Sequence, residues 1–458
     1  MFVREMVARF EKQAPVCVMV RALLENVFAA ERLDALFERV AERQSNKELL
    51  FSTVVNLMGL VAAKVRPSVN AAYLAQKDEV GVTVKALYDK LQRLETCVSR
   101  ALVRDIAEQL SAIIRQLQGE RPELLPGYHV KILDGNHLQA TERRLKVFAE
   151  INAAPLPGHS LVVLDPSLQL AIDVFPCEDA YTQERALLGQ VLETVRAKDL
   201  WIADRNFCTS MFVWGLHRAG AFFVIREHAN ATNWKTEPIG KQKRVGRTET
   251  GVVFEQKLKL TDAAGNEMIL RRITLQLDEP TRDGDSEMHI LTNLPEDVSA
   301  LKIADLYRNR WTIETAFYEI SQNLNGEINT LGYPKAALFA FCMGLVTFNL
   351  MSTIRAALRA AHGVEKVDEE VSLFRLCDEV AGTYRGQEIA VGPEYWTKTY
   401  ADLTAPEMAA ALLRLAETID LSRYKKHKRR PRVTKPKLTK KNRPHISTAR
   451  VLNDVKKC

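Results

Sequence analysis

The sequence predicts a multidomain α/β protein: a mixed sheet with helices on its faces, interrupted by a β-rich insertion and flanked by helical regions at both ends. Three observations lead there. Apolar residues recur three and four apart before Gly127 and again beyond residue 334. Between those regions run short apolar stretches of strand length. Several of these alternate with helix-length segments, the pattern of strands packed under helices. The chain has 458 residues, 47% hydrophobic and 26% charged. At roughly 100–200 residues per domain it has room for two to four domains. That composition excludes a disordered chain, a collagen and a disulfide-framework miniprotein.

Residues 1–126 read as helical, with apolar periodicity in 83–94 and 98–117 and breaks at Pro67, Gly81, Arg121-Pro122 and Pro126-Gly127. Residues 127–226 change period. Strands are predicted at 128–134, 144–149 and 160–173, the last broken at Asp165-Pro166. A helix over 183–198, a buried strand over 199–204, a helix over 209–219 and a strand over 221–226 follow. Residues 227–286 form the β insertion: 252–260 and 268–277 alternate apolar and polar residues around an Ala264-Gly265-Asn266 turn. The α/β rhythm resumes over 287–350 with a strand at 287–294 and one helix from about Val298 past Glu314. The apolar stretch 336–351 contains Gly344, Thr347 and Asn349. It falls short of the roughly 20 residues a membrane span needs and reads as a buried core helix. Residues 351–422 are helical again, and 423–458 form a basic tail expected to be disordered without a partner.

The charge is divided unevenly. The whole chain carries +7, but Arg423 to Cys458 holds fifteen Lys/Arg against one acid, so the preceding 422 residues sum to −7. An acidic body with a strongly basic end points to an acidic polymer as partner, nucleic acid before membrane. The seven cysteines are scattered and never form a C-x-x-C pair, and the charged N-terminus lacks an apolar core. Both features lead to the expectation of a cytoplasmic protein without a disulfide framework, zinc finger or signal peptide.

Two acids end buried strands. Asp134 closes Val130-Lys131-Ile132-Leu133, and Asp204 closes Leu200-Trp201-Ile202-Ala203. The carboxyl ends of buried strands are where α/β folds place ligands. The plainer reading of each is an N-cap for the next element. A third feature is sharper. Tyr307, Arg310, Trp311 and Glu314 stand at i, i+3, i+4 and i+7, so on one helix they share a face. A phenol, a guanidinium, an indole and a carboxylate together suit a partly buried site better than a solvated surface.

This arrangement resembles the DDE transposases of bacterial insertion sequences, the branch similar to insertion-sequence family four. The signature Tyr-x2-Arg-x3-Glu-x6-Lys fits Tyr307, Arg310 and Glu314, while its last position is Ser321 here. The Leu291-Thr292-Asn293-Leu294-Pro295 run and the Arg-Trp-x-Ile-Glu block are also similar. The resemblance covers about residues 128–350 and implies an RNase H-like catalytic domain with the β insertion between the second Asp and the Glu. It implies Asp134, Asp204 and Glu314 as catalytic metal ligands for two Mg²⁺ or Mn²⁺ ions, with Tyr307 and Arg310 gripping the DNA strand near the cut. Trp311 is a weaker candidate for stacking on a displaced base; a core indole behind the site is the simpler assignment. Three carboxylates suit hard divalent cations, and paired ions can serve both the attacking and the departing oxygen of a phosphodiester.

The resemblance further implies cut-and-paste transposition: cleavage at terminal inverted repeats of double-stranded DNA and joining to target DNA by a homodimer, with residues 1–126 binding the DNA ends. The helix over 83–93 presents Lys85, Lys90 and Arg93 for a major groove. Lys241, Lys243, Arg244 and Arg247 form a basic loop in the insertion, and Lys425, Lys426, Arg429 and Arg430 begin the basic tail. Both are candidate phosphate contacts. His137 reads as supporting the site rather than serving as acid or base. Cys208 lacks a placed base and is no nucleophile. Two alternatives stay open: an RNase H-like nuclease that cleaves without joining, and a catalytically impaired DNA-binding descendant of a transposase.

Overall fold

The structure is a computed structural model. It describes residues 2–138, 145–151, 153–228, 234–281, 284–427 and 444–456. Eight helices come first: α1 (Phe2–Gln13), α2 (Pro15–Val27), α3 (Ala30–Val40), α4 (Phe51–Ala62), α5 (Val69–Ala75), α6 (Lys77–Val80), α7 (Val84–Arg93) and α8 (Thr96–Leu117). Local chemistry sets their ends. Pro15 opens α2, and the Ser68 and Thr83 side chains cap α5 and α7 by accepting from the main-chain N–H three residues on.

The α/β segment contains β1 (His129–His137), β2 (Ala154–Leu156), β3 (His159–Asp165), β4 (Leu170–Cys177), α9 (Leu188–Leu192), β5 (Asp199–Ala203), α10 (Ser210–Arg218) and β6 (Phe222–Arg226). Then come β7 (Trp234–Thr248), β8 (Gly251–Asp262), β9 (Glu267–Leu277), β10 (Glu287–Thr292), α11 (Ala300–Arg308), α12 (Trp311–Asn323) and α13 (Pro334–His362). The chain continues through α14 (Val364–Glu370), α15 (Leu373–Ala390), α16 (Pro393–Tyr400), α17 (Ala405–Glu417), β11 (His445–Ser447) and α18 (Thr448–Val455).

Nine strands form one sheet in the order β4-β3-β1-β5-β6-β10-β9-β8-β7. Its first five strands, numbered among themselves in chain order, run 3-2-1-4-5. The β1, β5 and β6 strands are mutually parallel; β3 runs antiparallel to β1, and β4, antiparallel to β3, runs in the same direction as β1. This is the RNase H-like arrangement. The insertion strands β9, β8 and β7 do not form a separate unit. They add to the sheet through β10, which pairs with both β6 and β9.

One large core joins the N-terminal helices, one face of the sheet and the C-terminal helices; a smaller core covers the other face. The helical regions 1–126 and 351–422, expected as separate parts, therefore pack as one body. Their common member is α13, buried along nearly its whole length. It alone among the described helices is long and apolar enough to cross a membrane, yet it is wholly enclosed by protein, as the core-helix reading expected. Asn349 on it is fully buried and stitches it to β4. Its Nδ2 donates to Ala171 O and its Oδ1 accepts from Ala171 N, both at 2.8 Å.

Several expectations need correction. No strand spans 144–149: among its described residues Lys146–Phe148 form a 3-10 turn. The expected strand at 160–173 is the hairpin β3–β4. Asp165 Oδ1 makes its turn, accepting from Ser167 N, Ser167 Oγ and Leu168 N. The helix expected over 183–198 is shorter, a 3-10 turn at Glu184–Leu187 followed by α9. Lys241, Lys243, Arg244 and Arg247 lie on the exposed edge strand β7 rather than in a loop.

The tail from Arg423 was expected to be disordered; residues 428–443 and 457–458 lie outside the described residues, and its described parts are ordered. The Leu421–Tyr424 turn packs on the body, β11 pairs in parallel with β2, and α18 follows. Asp179 secures that end by accepting from Ser447 Oγ at 2.7 Å and Arg450 Nε at 2.8 Å.

Candidate active site

The pairing of two parallel strands builds the centre of the site. His129 to Leu133 on β1 pair one by one with Asp199 to Ala203 on β5. The next residues are Asp134, still inside β1 and paired with Val162 of β3, and Asp204, just past β5, so the two acids stand side by side where the β1–β5 pairing ends, at an inter-strand spacing of about 4.8 Å. Side chains alternate across a strand. Val130, Ile132, Leu200 and Ile202 belong to the large core, whereas Leu133, Trp201 and Ala203 belong to the small one. Asp134 and Asp204 therefore face the large core, the side on which α12 crosses β1.

The expected single helix is two. At Asn309 and Arg310 the hydrogen bonds tighten to i→i−3: Asn309 N to Leu306 O, Arg310 N to Tyr307 O and Thr312 N to Asn309 O. Asn309 Nδ2 also takes Asp305 O at 3.0 Å. The turn separates the four residues expected on one face. Tyr307 is buried, Arg310 is nearly so, and Glu314 is half-exposed. Trp311 is 59% exposed, which overturns its reading as a core indole behind the site. Its ring lies 5.4 Å from the Arg310 guanidinium, a cation–π contact at the rim.

Arg310 ties the acids together. Its Nη1 donates to Asp134 Oδ2 at 3.0 Å and its Nη2 to Glu314 Oε1 at 2.7 Å, while its Nε is buried without a partner. Asp134 Oδ1 accepts from Gly135 N at 2.9 Å. Asp204 Oδ1 accepts from Asn206 N at 2.6 Å, so the N-cap reading holds for Asp204 alongside its place in the cluster. Burial pushes the Asp134 carboxyl up to about 7; Arg310 opposes the shift, and the neighbouring Asp204 and Glu314 charges add to it. Burial likewise pushes the Tyr307 phenol up to about 12, against Arg310 and with Asp204. The Arg310 guanidinium is held above its usual value: burial works against its charge, but Tyr307, Asp134 and Glu314 outweigh it.

The three acids were expected as ready metal ligands. Among the described residues no three His, Cys, Asp or Glu side chains stand close enough together to hold an ion as they are. The physical reason is that the Arg310 guanidinium occupies the cation position between Asp134 and Glu314. The donor set itself fits a hard divalent cation: three carboxylates, one of them destabilised as an anion chiefly by burial and further by the other two. Gathering them on a metal requires Arg310 to withdraw.

A cavity of about 300 Å³ adjoins this centre, lined by Asn136, Phe317, Tyr318, Ser321, Gln322 and Glu327. Ser321, which stands at the Lys position of the signature, faces that cavity and donates through Oγ to Tyr318 O at 3.0 Å. Sequence reasoning also missed Glu184, Arg185 and Asn206, which surround the end of β5. The Asp204-Arg205-Asn206-Phe207 turn was a signal for Asn206; nothing local marked Glu184.

The expected DNA contacts are dispersed. Lys241, Lys243 and Arg244 are exposed on β7, while Arg247 pairs with Asp278 at 2.6 Å. Lys425 stands 3.6 Å from Glu370, and the Lys426 ammonium donates to Asp368 O at 2.5 Å. Arg429 and Arg430 lie outside the described residues. On α7, Lys85 and Arg93 are exposed. Lys90 instead turns inward, donating to Ser45 O and Asn46 Oδ1 at 3.3 Å and lying 4.8 Å over the Phe37 ring, so it is not free to meet DNA. Burial pushes the Cys208 thiol up to about 12, which removes it as a nucleophile.

No curated protein matches the chain. Among solved structures it is similar to the piggyBac transposase synaptic complex with hairpin DNA, at 11% identity and a TM-score of 0.39, over 86% of this chain and 87% of that one. Residues 159–350 match the family model described as the transposase DDE domain. The stretch from β3 into α13, with Asp204 and Glu314 inside it and Asp134 just ahead, is thus similar to a transposase DDE domain.

Proposed function

We propose that the protein is a metal-dependent cut-and-paste DDE transposase of the bacterial insertion-sequence type, similar to family four. The observation that carries this reading is the register of β1 on β5, which sets Asp134 beside Asp204 and faces both toward Glu314 across Arg310. Asp134, Asp204 and Glu314 would hold Mg²⁺ or Mn²⁺, two ions per site. When bound, the ions supply an activated oxygen nucleophile and neutralise the leaving oxygen of a phosphodiester.

The chain's own residues do the rest. Arg310 balances the acid cluster in the DNA-free protein. Its planar fork fits a phosphate as well as a carboxylate, so a DNA backbone entering the site offers it an alternative partner. Its transfer to that phosphate would free the carboxylates for the metal. Tyr307, packed beside Arg310, fixes where the guanidinium starts from. Trp311 stands exposed at the rim, where a base unstacked near the cut would meet it. Lys241, Lys243 and Arg244 along the β7 edge, with Lys425 and Lys426, supply sequence-independent attraction to duplex DNA. The DNA partners are the element's terminal inverted repeats and a target duplex, bridged by a homodimer.

The test is cleavage of labelled end DNA with Mg²⁺ or Mn²⁺, followed by transfer of the cut end into a plasmid. Wild type is expected to perform both steps, and Glu314→Gln to lose at least about 100-fold in cleavage, as expected when a charged ligand of the ions that would neutralise the transition state is removed. Equal cleavage by Glu314→Gln refutes the assignment. Cleavage without joining identifies a nuclease instead.

A further inference from the structure

Across the sheet from the carboxylates lies a second polar cluster that the proposed reaction does not use. Odd-numbered positions of β1 face this side, where Leu133 sits in the smaller core and Gly135 and His137 follow. Glu184, the first residue of the 3-10 turn after β4, reaches into it with its side chain 16% exposed. One of its oxygens accepts from Asn206 Nδ2; the other lies 3.6 Å from His137 Nδ1. A Cβ placed on Gly135 would fall 1.9 Å from that second oxygen, so the Glu184 carboxylate lies directly over the backbone that follows Asp134.

Arg185 completes the arrangement. Its Nε donates to Asn206 O at 2.8 Å and to Asn206 Oδ1 at 3.1 Å. Three of the four polar groups of Asn206 are thus held by Glu184 and Arg185. The fourth, its main-chain N–H, donates to Asp204 Oδ1. A carboxylate ligand works only when its own partners orient it, and such outer partners typically set metal affinity by about 10- to 100-fold.

We infer that Glu184 is a positioning residue for both aspartates. By clamping Asn206 it fixes the N–H that orients Asp204, and by closing over Gly135 it fixes the backbone next to Asp134. The inference rests on the metal-dependent reading above. It also assigns Gly135 a role: the residue is glycine so that the Glu184 carboxylate can lie against it.

The experiment uses the full chain bound to pre-cleaved end DNA, whose phosphates can draw Arg310 from the acids, and measures the Mn²⁺ concentration that half-saturates the metal-induced rise in unfolding temperature. The same midpoint is read from the cleavage rate of uncut end DNA. Glu184→Ala is expected to raise both midpoints about tenfold or more. Glu184→Gln, whose amide oxygen still accepts from Asn206, is expected to stay near wild type. Gly135→Ala, which displaces the carboxylate without removing it, should resemble Glu184→Ala. The double variant should be no worse than Glu184→Ala alone, because the added methyl then has nothing to displace. If Glu184→Ala does not fold, the Gly135→Ala midpoint decides. A midpoint within twofold of wild type, or additive losses in the double variant, overturns the clamp alone. A wild type with no Mn²⁺ response, indistinguishable from Asp204→Asn, overturns the metal-dependent reading and the clamp with it.

Discussion

Replacing Asp134 by Asn should make the DNA-free, metal-free protein more stable while abolishing its activity. Asp134 is largely buried, flanked by Asp204 and Glu314, and its carboxyl is raised from the ordinary 3.8 to about 7. That interval is equivalent to about 4 kcal/mol of preference for the protonated form, with the favourable Arg310 contact already included. Between pH 4 and 7 the folded protein holds a proton here that the unfolded chain releases. Stability therefore falls as pH rises through that window, with no penalty below about pH 4 and the full penalty above about pH 7. Asparagine is nearly isosteric and uncharged, so it escapes the penalty. The expected gain is about 2–4 kcal/mol at pH 8, shrinking to about 1–2 kcal/mol at pH 5. Urea unfolding in EDTA at both values measures it. If Asp134→Asn is no more stable than wild type at pH 8, or gains equally at both values, the acid cluster is not destabilising and the reasoning fails.

Other perturbations probe separate parts of the molecule. Asn349→Leu strands the N–H and C=O of Ala171 in the core. It is expected to lower stability by about 2–5 kcal/mol, read as a lower urea midpoint; an unchanged midpoint denies that Asn349 joins α13 to β4. Trp311→Ala removes an exposed ring and should leave stability within about 0.5 kcal/mol. If the ring stacks on a base, DNA affinity should fall by about 1–3 kcal/mol in fluorescence anisotropy; equal affinity excludes the stacking. Replacing Lys241, Lys243 and Arg244 together with Ala should flatten the salt dependence of DNA binding by about two to three in its logarithmic slope. A slope equal to wild type removes the β7 edge from the interface.

Features set by local pattern were legible in the sequence; those set by packing were not. The apolar runs ending in Asp134 and Asp204 identified β1 and β5, and the Arg310–Glu314 pair followed from helical spacing. The buried character of α13 was visible in its composition. The misread run at 144–149 carries β-like residues but finds no neighbouring strand to pair with in its described part, and propensity without pairing makes no strand. The break at Asn309–Arg310 arises from a side chain competing for a backbone carbonyl, which periodicity does not register. That one turn decided the exposure of Trp311. The Arg310 bridge from Asp134 to Glu314 and the grip of Glu184 on Asn206 join residues far apart in the chain. Their partners are specified only by the fold.

The position of α13 bears on how the protein is made. Residues 334–362 pack against α2, α4, α7, α8 and β4, all of which leave the ribosome earlier. Until about residue 362 has emerged, the N-terminal helices and one face of the sheet have their apolar surfaces open to water. The long-range contacts that close this core come late, a circumstance that favours slow folding and transient aggregation. A fragment ending before α13 would lack the middle of its own core. The nascent chain must therefore hold its first three hundred residues in waiting for the segment most easily mistaken for a membrane span.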